Sequence, residues 1–518
     1  MIDTLFITPN NANEIYQKLS NKYSAIETPT WSLLLAEACR TKKFRVSILD
    51  CLAENLSLTE SYERIIELKP RLIVFVVYGQ NVNAGTTNMS GATKLSKYLK
   101  EKKINIPIAY IGSHVQALPI ETIKNENSID FVFTNEGVYS LINVLTLKEI
   151  NYENLKKIKG IAFIHKGETY FNEIEKVVPQ DRMDIDLPGY AWDLLPYKVK
   201  PLDLYRSPMW HAEYDENKRS PYAAIQTSLG CQFKCSFCMI NIINRNDKSD
   251  VGVASNYSGM RFWSTDFIIK EFDKLISMGV ETIRIVDEMF LLNPKYYLPL
   301  CKELQKRNKK DNLRMWAYSR IDTVKNPEIL KIVRSSGIKW LCLGIESGDK
   351  NVRLEVAKGK FEEVDVRNVV KQVHDADIEI MANYIFGLPG DTEDTINKTY
   401  KLSEELCTLG WNTYAAMALP GSQLYKEAID KKIKLPKNYE DYSFHSYSTI
   451  NLPTEKLKAS EILKLRDKCF TEYHSYNPFL KKIEKKFGTH AAENIREMTK
   501  IKLRRKIIED EESIKINN

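Results

Sequence analysis

The 518-residue sequence predicts an α/β protein built in parts: a doubly wound parallel sheet over residues 1–150, a connector over 151–220, a partial (β/α)6 barrel over 221–430 and a mostly helical region over 431–518. Three observations lead there. Short apolar runs alternate with segments of helical period through the first 150 residues. Strand–helix units then follow one another from Tyr222 to Ala418, giving six strands. Beyond about Lys432 that alternation stops.

In the first part, strands are expected at 4–7, 44–49, 71–77, 108–112 and 131–133, with helices at 30–42, 58–68 and 92–102. The run 71–77 has almost no polar residue, as a strand covered on both faces requires. Ligands on such sheets sit at the carboxyl ends of strands. The loops there are 8–11, 78–83, 112–114 and 134–137. No G-x-G-x-x-G follows the first strand, which removes the dinucleotide fingerprint. In the connector, Val177-Val178-Pro179, Leu187-Pro188 and Leu195-Pro196-Tyr197 break periodicity around a short strand at 160–164. Its Trp, Tyr and Leu content argues for packing across both neighbours rather than disorder.

Barrel strands are expected at 223–227, 283–286, 315–318, 339–345, 379–386 and 413–418, with helices at 265–278, 298–306, 327–335, 364–375 and 392–409. The strand ends carry Asp287-Glu288, Ser319-Arg320, Glu346-Ser347-Gly348, Gly387-Leu388-Pro389-Gly390 and Pro420-Gly421. On barrels of this kind catalytic groups sit at those ends. Past the barrel, helices are expected at 457–474, 480–487 and 491–510. The last has a basic face (Lys500, Lys502, Arg504, Arg505, Lys506), read as a solvated surface. Residues 510–518 are expected to fray. Tyr439, Tyr442, His445 and Tyr447 either line a substrate cavity or pack.

The net charge of +7 is small for this length, and no basic run is interleaved with aromatics, so nucleic acid is not an expected partner. The longest apolar run, Leu72 to Tyr78, is too short for a transmembrane segment, and the first residues have no signal-peptide pattern. Unpaired, unevenly spaced cysteines point to a reducing, cytoplasmic setting.

One cluster of cysteines stands out: Cys231, Cys235 and Cys238, spaced C-x-x-x-C-x-x-C in the exit loop of the first barrel strand. Thiolates suit iron–sulfur clusters and zinc. A structural zinc site takes four protein ligands, and no further Cys follows until Cys301. Three thiolates on a four-iron cluster leave one iron open for a small molecule. A zinc site completed from far away, or three buried thiols, are the alternatives. Cys301, Cys342 and Cys407 fall inside elements and read as core residues.

The triad, with Phe237 before its third Cys, resembles the radical S-adenosylmethionine (SAM) enzymes. The stretch Ile111-Gly112-Ser113-His114 and the later Thr134-Asn135-Glu136-Gly137 resemble the cobalamin-binding, Rossmann-like domain that precedes many radical SAM cores. The resemblance covers roughly residues 1–430 and implies a 4Fe-4S cluster on the three cysteines. It implies SAM against Phe237, Asp287, Glu288, Ser319, Arg320, Glu346, Gly387 and Pro389. Asp287-Glu288 corresponds to the amino-group site, where Val286-Asp287-Glu288 replaces the common Gly-Gly-Glu. Arg320 suits a carboxylate through paired hydrogen bonds.

Cobalamin is implied at Thr8, Asn10, Gly79, Gln80, Gly112, Ser113, His114, Glu136 and Gly137. The D-x-H-x-x-G that supplies a histidine to cobalt elsewhere is absent, so base-off binding is expected, with His114 a loop residue. Only Cys39 and Cys51 lie in this part, short of the three cysteines that methylthiotransferases use. The implied activity is methylation of an unactivated carbon in a small-molecule substrate. One SAM methylates cobalamin and another yields a 5′-deoxyadenosyl radical, with a flavodoxin- or ferredoxin-like electron donor. A non-methylating cyclisation or rearrangement with the same cofactors is the alternative, and a non-catalytic cobalamin- or SAM-binding protein a second.

Overall fold

A computed structural model describes residues 2–78, 82–199, 201, 204–207, 219–324, 326–356 and 364–517. Five parallel strands, β1 (Thr4–Thr8), β2 (Val46–Asp50), β3 (Ile73–Val76), β4 (Ile108–Ile111) and β5 (Phe131–Phe133), form the N-terminal sheet in the order β2-β1-β3-β4-β5. The chain leaves β1 toward β2 and returns to the other side at β3, so the switch point lies between β1 and β3. β6 (Ile161–His165) and β7 (Glu168–Phe171) add an antiparallel hairpin to the β5 edge. The expected strand at 160–164 thus belongs to this sheet.

Period-two burial sorts the strand residues into two cores. Leu5, Ile7, Ile73, Phe75, Val77 and Tyr110 pack in a core of their own. Phe6, Val74, Val76, Ala109, Ile111 and Phe133 belong to a core continuous with the barrel. The helix Leu58–Leu68 matches its expected bounds because Ser57 and Glu60 form a capping box. The helix Gly85–Glu101 begins a turn and more before the apolar signal at Ala92, through small polar residues buried under the sheet.

The barrel sheet holds six parallel strands: β8 (Tyr222–Ile225), then β11 (Thr282–Ile285), β12 (Arg314–Arg320), β13 (Ile338–Glu346), β14 (Glu379–Phe386) and β15 (Gly410–Ala415). Between β8 and β11 the chain makes an antiparallel ribbon, β9 (Ser228–Cys231) with β10 (Gly259–Phe262), which the sequence reading did not contain. Helices start where polar caps stand. Ser264 caps Thr265–Ser277, Asn293 caps Pro294–Arg307 and Asn326 caps Pro327–Ser335. The helix Glu393–Leu406 ends three residues before the expected 409, because Cys407 adopts a left-handed C-cap (φ 42°). That frees 410–415 for β15, three residues ahead of the expected strand.

Past the barrel run Ala459–Ser475, Asn477–Phe487, Thr489–Lys500 and Lys506–Asn517. The single helix expected over 491–510 is therefore two, broken at 501–505, and the expected basic face does not form. Arg505 is buried on Asp467, and Arg504 pairs with Glu509. Residues 510–517, expected to fray, are helical. Among the described residues no helix is long and apolar enough to cross a membrane.

Candidate active site

The triad begins on the last residue of β9. Asn241 Oδ1 accepts from Cys231 N–H (2.8 Å), Val356 O accepts from Ser236 N–H (3.1 Å), and Ser236 O accepts from Leu424 N–H (3.0 Å). The loop is thus pinned from three directions. Burial raises all three thiols: Cys231 to about 12, Cys235 to about 11, and Cys238 well above its ordinary range. Loading a metal must therefore displace protons. Among the described residues no three His, Cys, Asp or Glu side chains stand close enough for a single metal ion. The thiols nonetheless lie within electrostatic reach of one another. Three thiols on one loop are a donor set that an iron–sulfur cluster accepts.

The two acids after β11 have different jobs. Asp287 is 2% exposed and accepts from Thr227 N–H (2.5 Å), Thr227 Oγ1 (2.6 Å) and Ser228 Oγ (2.6 Å). It fastens the end of β8 to the start of β9, with both oxygens engaged by the protein. Glu288 has no hydrogen bond or ion pair among the described residues. Burial pushes its carboxyl up to about 7, against the pull of Arg284, and it lies within electrostatic reach of Cys231 and Cys238.

Ser319 accepts from Leu291 N–H (3.3 Å) and shares a 2.7 Å hydrogen bond with Thr323. Arg320 is held by Asp322 (2.7 Å) and stacks on Phe233 (3.6 Å), which leaves Nη1 4.0 Å from Cys235 Sγ. Glu346 ends β13 with φ 64°, a left-handed conformation that is strained in a non-glycine residue. It too has no hydrogen bond among the described residues, and burial raises its carboxyl to about 7, opposed by Arg320. Gly387 (φ 82°) and Leu388 donate N–H groups to Asp391 at 2.9 and 3.1 Å, fixing the turn that exposes Pro389. A Cβ on Gly387 would meet Ile462 of the C-terminal cap at 2.9 Å. Phe237 is half-buried beside the triad.

At the N-terminal sheet, a cavity of about 60 Å3 opens at the β1/β3 switch point. Thr8, Asn11, Trp31, Tyr78 and Asn88 line it, and Glu27 closes its barrel side. Thr8 Oγ1 is buried without a hydrogen-bond partner, as a donor or acceptor awaiting a ligand would be. Asn10 turns away to Asn55 (3.2 Å). Gly79 and Gln80 lie outside the described residues. A Cβ at Gly112 would fall 2.4 Å from Val77 O, so β3 and the start of the next loop touch only because residue 112 is glycine. Ser113 is fully buried.

His114 is neutral over the ordinary range, its pKa lowered to about 3 by burial. It bonds Thr86 Oγ1 (3.2 Å) and packs edge-on against Tyr439. Glu136 has partners within the protein. It accepts from Val178 N–H and pairs with Arg261 at 2.7 Å, tying connector and barrel ribbon to the sheet. Gly137 bonds Asn135 Oδ1 through its N–H (3.1 Å). The walls offer a partnerless hydroxyl and aromatic rings, and the charge of Glu27 is taken up by Arg284.

The two cofactor-type regions meet directly. Asn83, in the loop after β3, accepts from Met239 N–H (3.0 Å), and its Nδ2 lies 3.9 Å from Cys238 Sγ. Glu136 N–H donates to Ile243 O (3.1 Å), and Gly252 N–H to Ala117 O (2.8 Å). Glu27 pairs with Arg284 inside the barrel, where Arg284 also donates to Tyr318 Oη (3.0 Å). The half-buried positions of the later strands, Tyr318, Asn383, Asn412 and Tyr414, alternate with core residues, which puts them on the inner face. Sequence reading did not single out Asn83, Glu27 or Arg284. The signal for Arg284 was a charge within Ile283-Arg284-Ile285, and that for Asn83 its place in the strand-end loop 78–83; Glu27 carried none. The cap closes the cleft: Gln17 Nε2 donates to His445 O (2.7 Å), and Tyr439 Oη to Glu126 (3.1 Å).

Comparison with known proteins agrees with this arrangement. The B12 binding domain model matches residues 18–145, and the Radical SAM superfamily model matches residues 225–403. An uncharacterized methyltransferase of Pyrococcus horikoshii is 26% identical, covering 83% of this chain and 84% of that protein. An anaerobic magnesium-protoporphyrin IX monomethyl ester cyclase of Cereibacter sphaeroides is 22% identical, over 89% of this chain and 68% of its own. Two solved structures share the fold. The radical SAM methyltransferase TsrM from Kitasatospora setae, with cobalamin and a 4Fe-4S cluster bound, has TM-score 0.61 at 14% identity, covering 91% of this chain and 88% of its own. The cobalamin-dependent SAM radical enzyme OxsB has TM-score 0.64 at 13% identity, covering 96% and 70%.

Proposed function

Because the chain is a radical SAM enzyme with a B12-binding domain, we propose that it is a cobalamin-dependent methyltransferase acting on an unactivated carbon of a small molecule. The observation that carries this reading is the join at Asn83, which sets the carboxyl edge of the N-terminal sheet against the triad loop. Both cofactors then face one lumen. When bound, the iron–sulfur cluster with SAM supplies a hydrogen-abstracting radical, and cobalamin supplies a methyl group.

The chain's own residues do the rest. Cys231, Cys235 and Cys238 would hold the cluster. Glu288, partnerless and beside the triad, takes the ammonium of SAM, and Arg320 approaches its carboxylate. Glu346 accepts hydrogen bonds from the ribose. Tyr318, Asn383, Asn412 and Tyr414 orient the substrate, and the cap excludes water. Thr8 and the Gly112 loop would seat the corrin. Electrons come from a flavodoxin- or ferredoxin-like donor in the cytoplasm, a setting supported by nine free cysteines.

Turnover with the acceptor is expected to yield both S-adenosylhomocysteine and 5′-deoxyadenosine. Formation of only one overturns the methyl-transfer reading. The similarity to the ester cyclase supports a second reading, cyclisation without methylation, in which 5′-deoxyadenosine forms and S-adenosylhomocysteine does not.

A further inference from the structure

The C-terminal region carries a second cavity, an open cleft of about 430 Å3, walled by His445, Arg466, Phe470, Ile501 and Lys502. Arg466 and Arg505, each 3% exposed, converge on one carboxylate. Asp467 receives Arg466 Nη1 at 3.0 Å and Arg505 Nε and Nη2 at 2.9 and 3.0 Å. One acid thus serves two guanidiniums, and a positive charge is left uncompensated in the interior.

The Arg466 guanidinium is held between the rings of Phe444 (5.0 Å) and Phe470 (4.8 Å), with Nε donating to Thr413 O (2.9 Å). Its Nη2 has no protein acceptor among the described residues. Beside it the His445 ring packs on Phe444 (4.0 Å) and Tyr16 (5.3 Å), and neither ring nitrogen has a hydrogen-bond partner among the described residues. Burial and the charges of Arg466 and Arg505 keep His445 neutral. At the rim, exposed Lys502 donates to Thr471 Oγ1 (3.1 Å), and Glu472 stands 3.9 Å from Lys468.

We propose that this cavity binds an anionic group, a carboxylate or a phosphate, on the free edge of Arg466 beside His445. Two buried guanidiniums on one carboxylate are costly, and an anion there completes the count that Asp467 leaves short. Stacking fixes the guanidinium plane, so Nη2 is preorganised for an oxygen ligand. Neutral His445 supplies an N–H donor of its own. The site is one layer of rings from the barrel, since Phe444 meets Tyr414 edge-on at 5.2 Å. That the anion belongs to the substrate rests on the methyl-transfer reading; the site itself does not.

The test is a titration of the full chain, labelled with 13C-histidine, with inorganic phosphate and separately with acetate. Seven histidines keep the spectrum readable, and His445→Gln assigns the signal. We expect a saturable shift confined to His445, with the tighter anion identifying the ligand chemistry. Arg466→Gln should abolish it. Lys502→Glu, at an exposed position that does not threaten folding, should weaken it roughly threefold to tenfold. No saturable shift with either anion, or unchanged affinity in Lys502→Glu, overturns the proposal. The titration needs no turnover, so its outcome is independent of whether methyl transfer is the reaction.

Discussion

The carboxyl ends of the two sheets solve the problem of holding a ligand differently. At the barrel, Glu288 and Glu346 are kept partnerless with carboxyls raised to about 7, and Glu346 is held in a strained backbone. At the N-terminal sheet, by contrast, Glu136 and His114 are engaged by the protein itself, and what faces the cavity is a buried hydroxyl and aromatic rings beside the Glu27–Arg284 pair. The barrel therefore reads as a charge-selecting site and the sheet as a shape-selecting one. Strain and unmet polar groups collect where ligand chemistry is specific.

The sharpest break of this comparison is Cys235→Ala. It should abolish iron loading and all SAM cleavage, measured as 5′-deoxyadenosine, while corrinoid binding at the other sheet persists. Loss of both would mean that the two ends are not separable.

Next in size is the contrast between neighbouring acids. Asp287→Asn replaces the oxygen that accepts from the Thr227 and Ser228 hydroxyls with an amide NH2, and should lower unfolding free energy by about 2–4 kcal/mol in denaturant titration. Glu288→Gln should leave stability nearly unchanged and weaken SAM binding about tenfold or more. Equal effects of the two would erase the distinction.

Glu346 gives the pH test. Its folded pKa of about 7 lies above the ordinary carboxyl value of 4.5, so the folded state binds that proton more tightly. The stability this gives is full below about pH 4.5 and is lost as pH rises through about 7. Glu346→Gln should therefore be more stable than the parent at pH 8 by roughly 1–3 kcal/mol, with the difference vanishing near pH 4.5. The smallest expected effect is at the join. Asn83→Ala removes a weak donor to Cys238 and should lower the cluster midpoint potential by about 40 mV, the equivalent of about 1 kcal/mol for one electron. Redox titration followed by electron paramagnetic resonance reads it.

Much of this was legible in the sequence because it is local. The helices Leu58–Leu68 and Pro327–Ser335 and the strand Glu379–Phe386 have the bounds their apolar period and caps dictate. Contacts far apart in sequence were not legible. The ribbon Ser228–Cys231 with Gly259–Phe262 pairs segments separated by an irregular loop. The break at 501–505 depends on Asp467 drawing Arg505 inward, some forty residues away in the chain. Adjacent Asp287 and Glu288 both looked like ligands. Only the hydroxyls of Thr227 and Ser228, one strand earlier, decide which carboxylate is engaged.

The account stands on the N-terminal sheet being a cobalamin site that faces the barrel. The most direct test is an anaerobic titration of the reconstituted full chain with hydroxocobalamin, followed in the visible spectrum. The prediction is stoichiometric binding with a base-off spectrum, unchanged in His114→Ala. Absence of binding, or a base-on spectrum that His114→Ala abolishes, would contradict it.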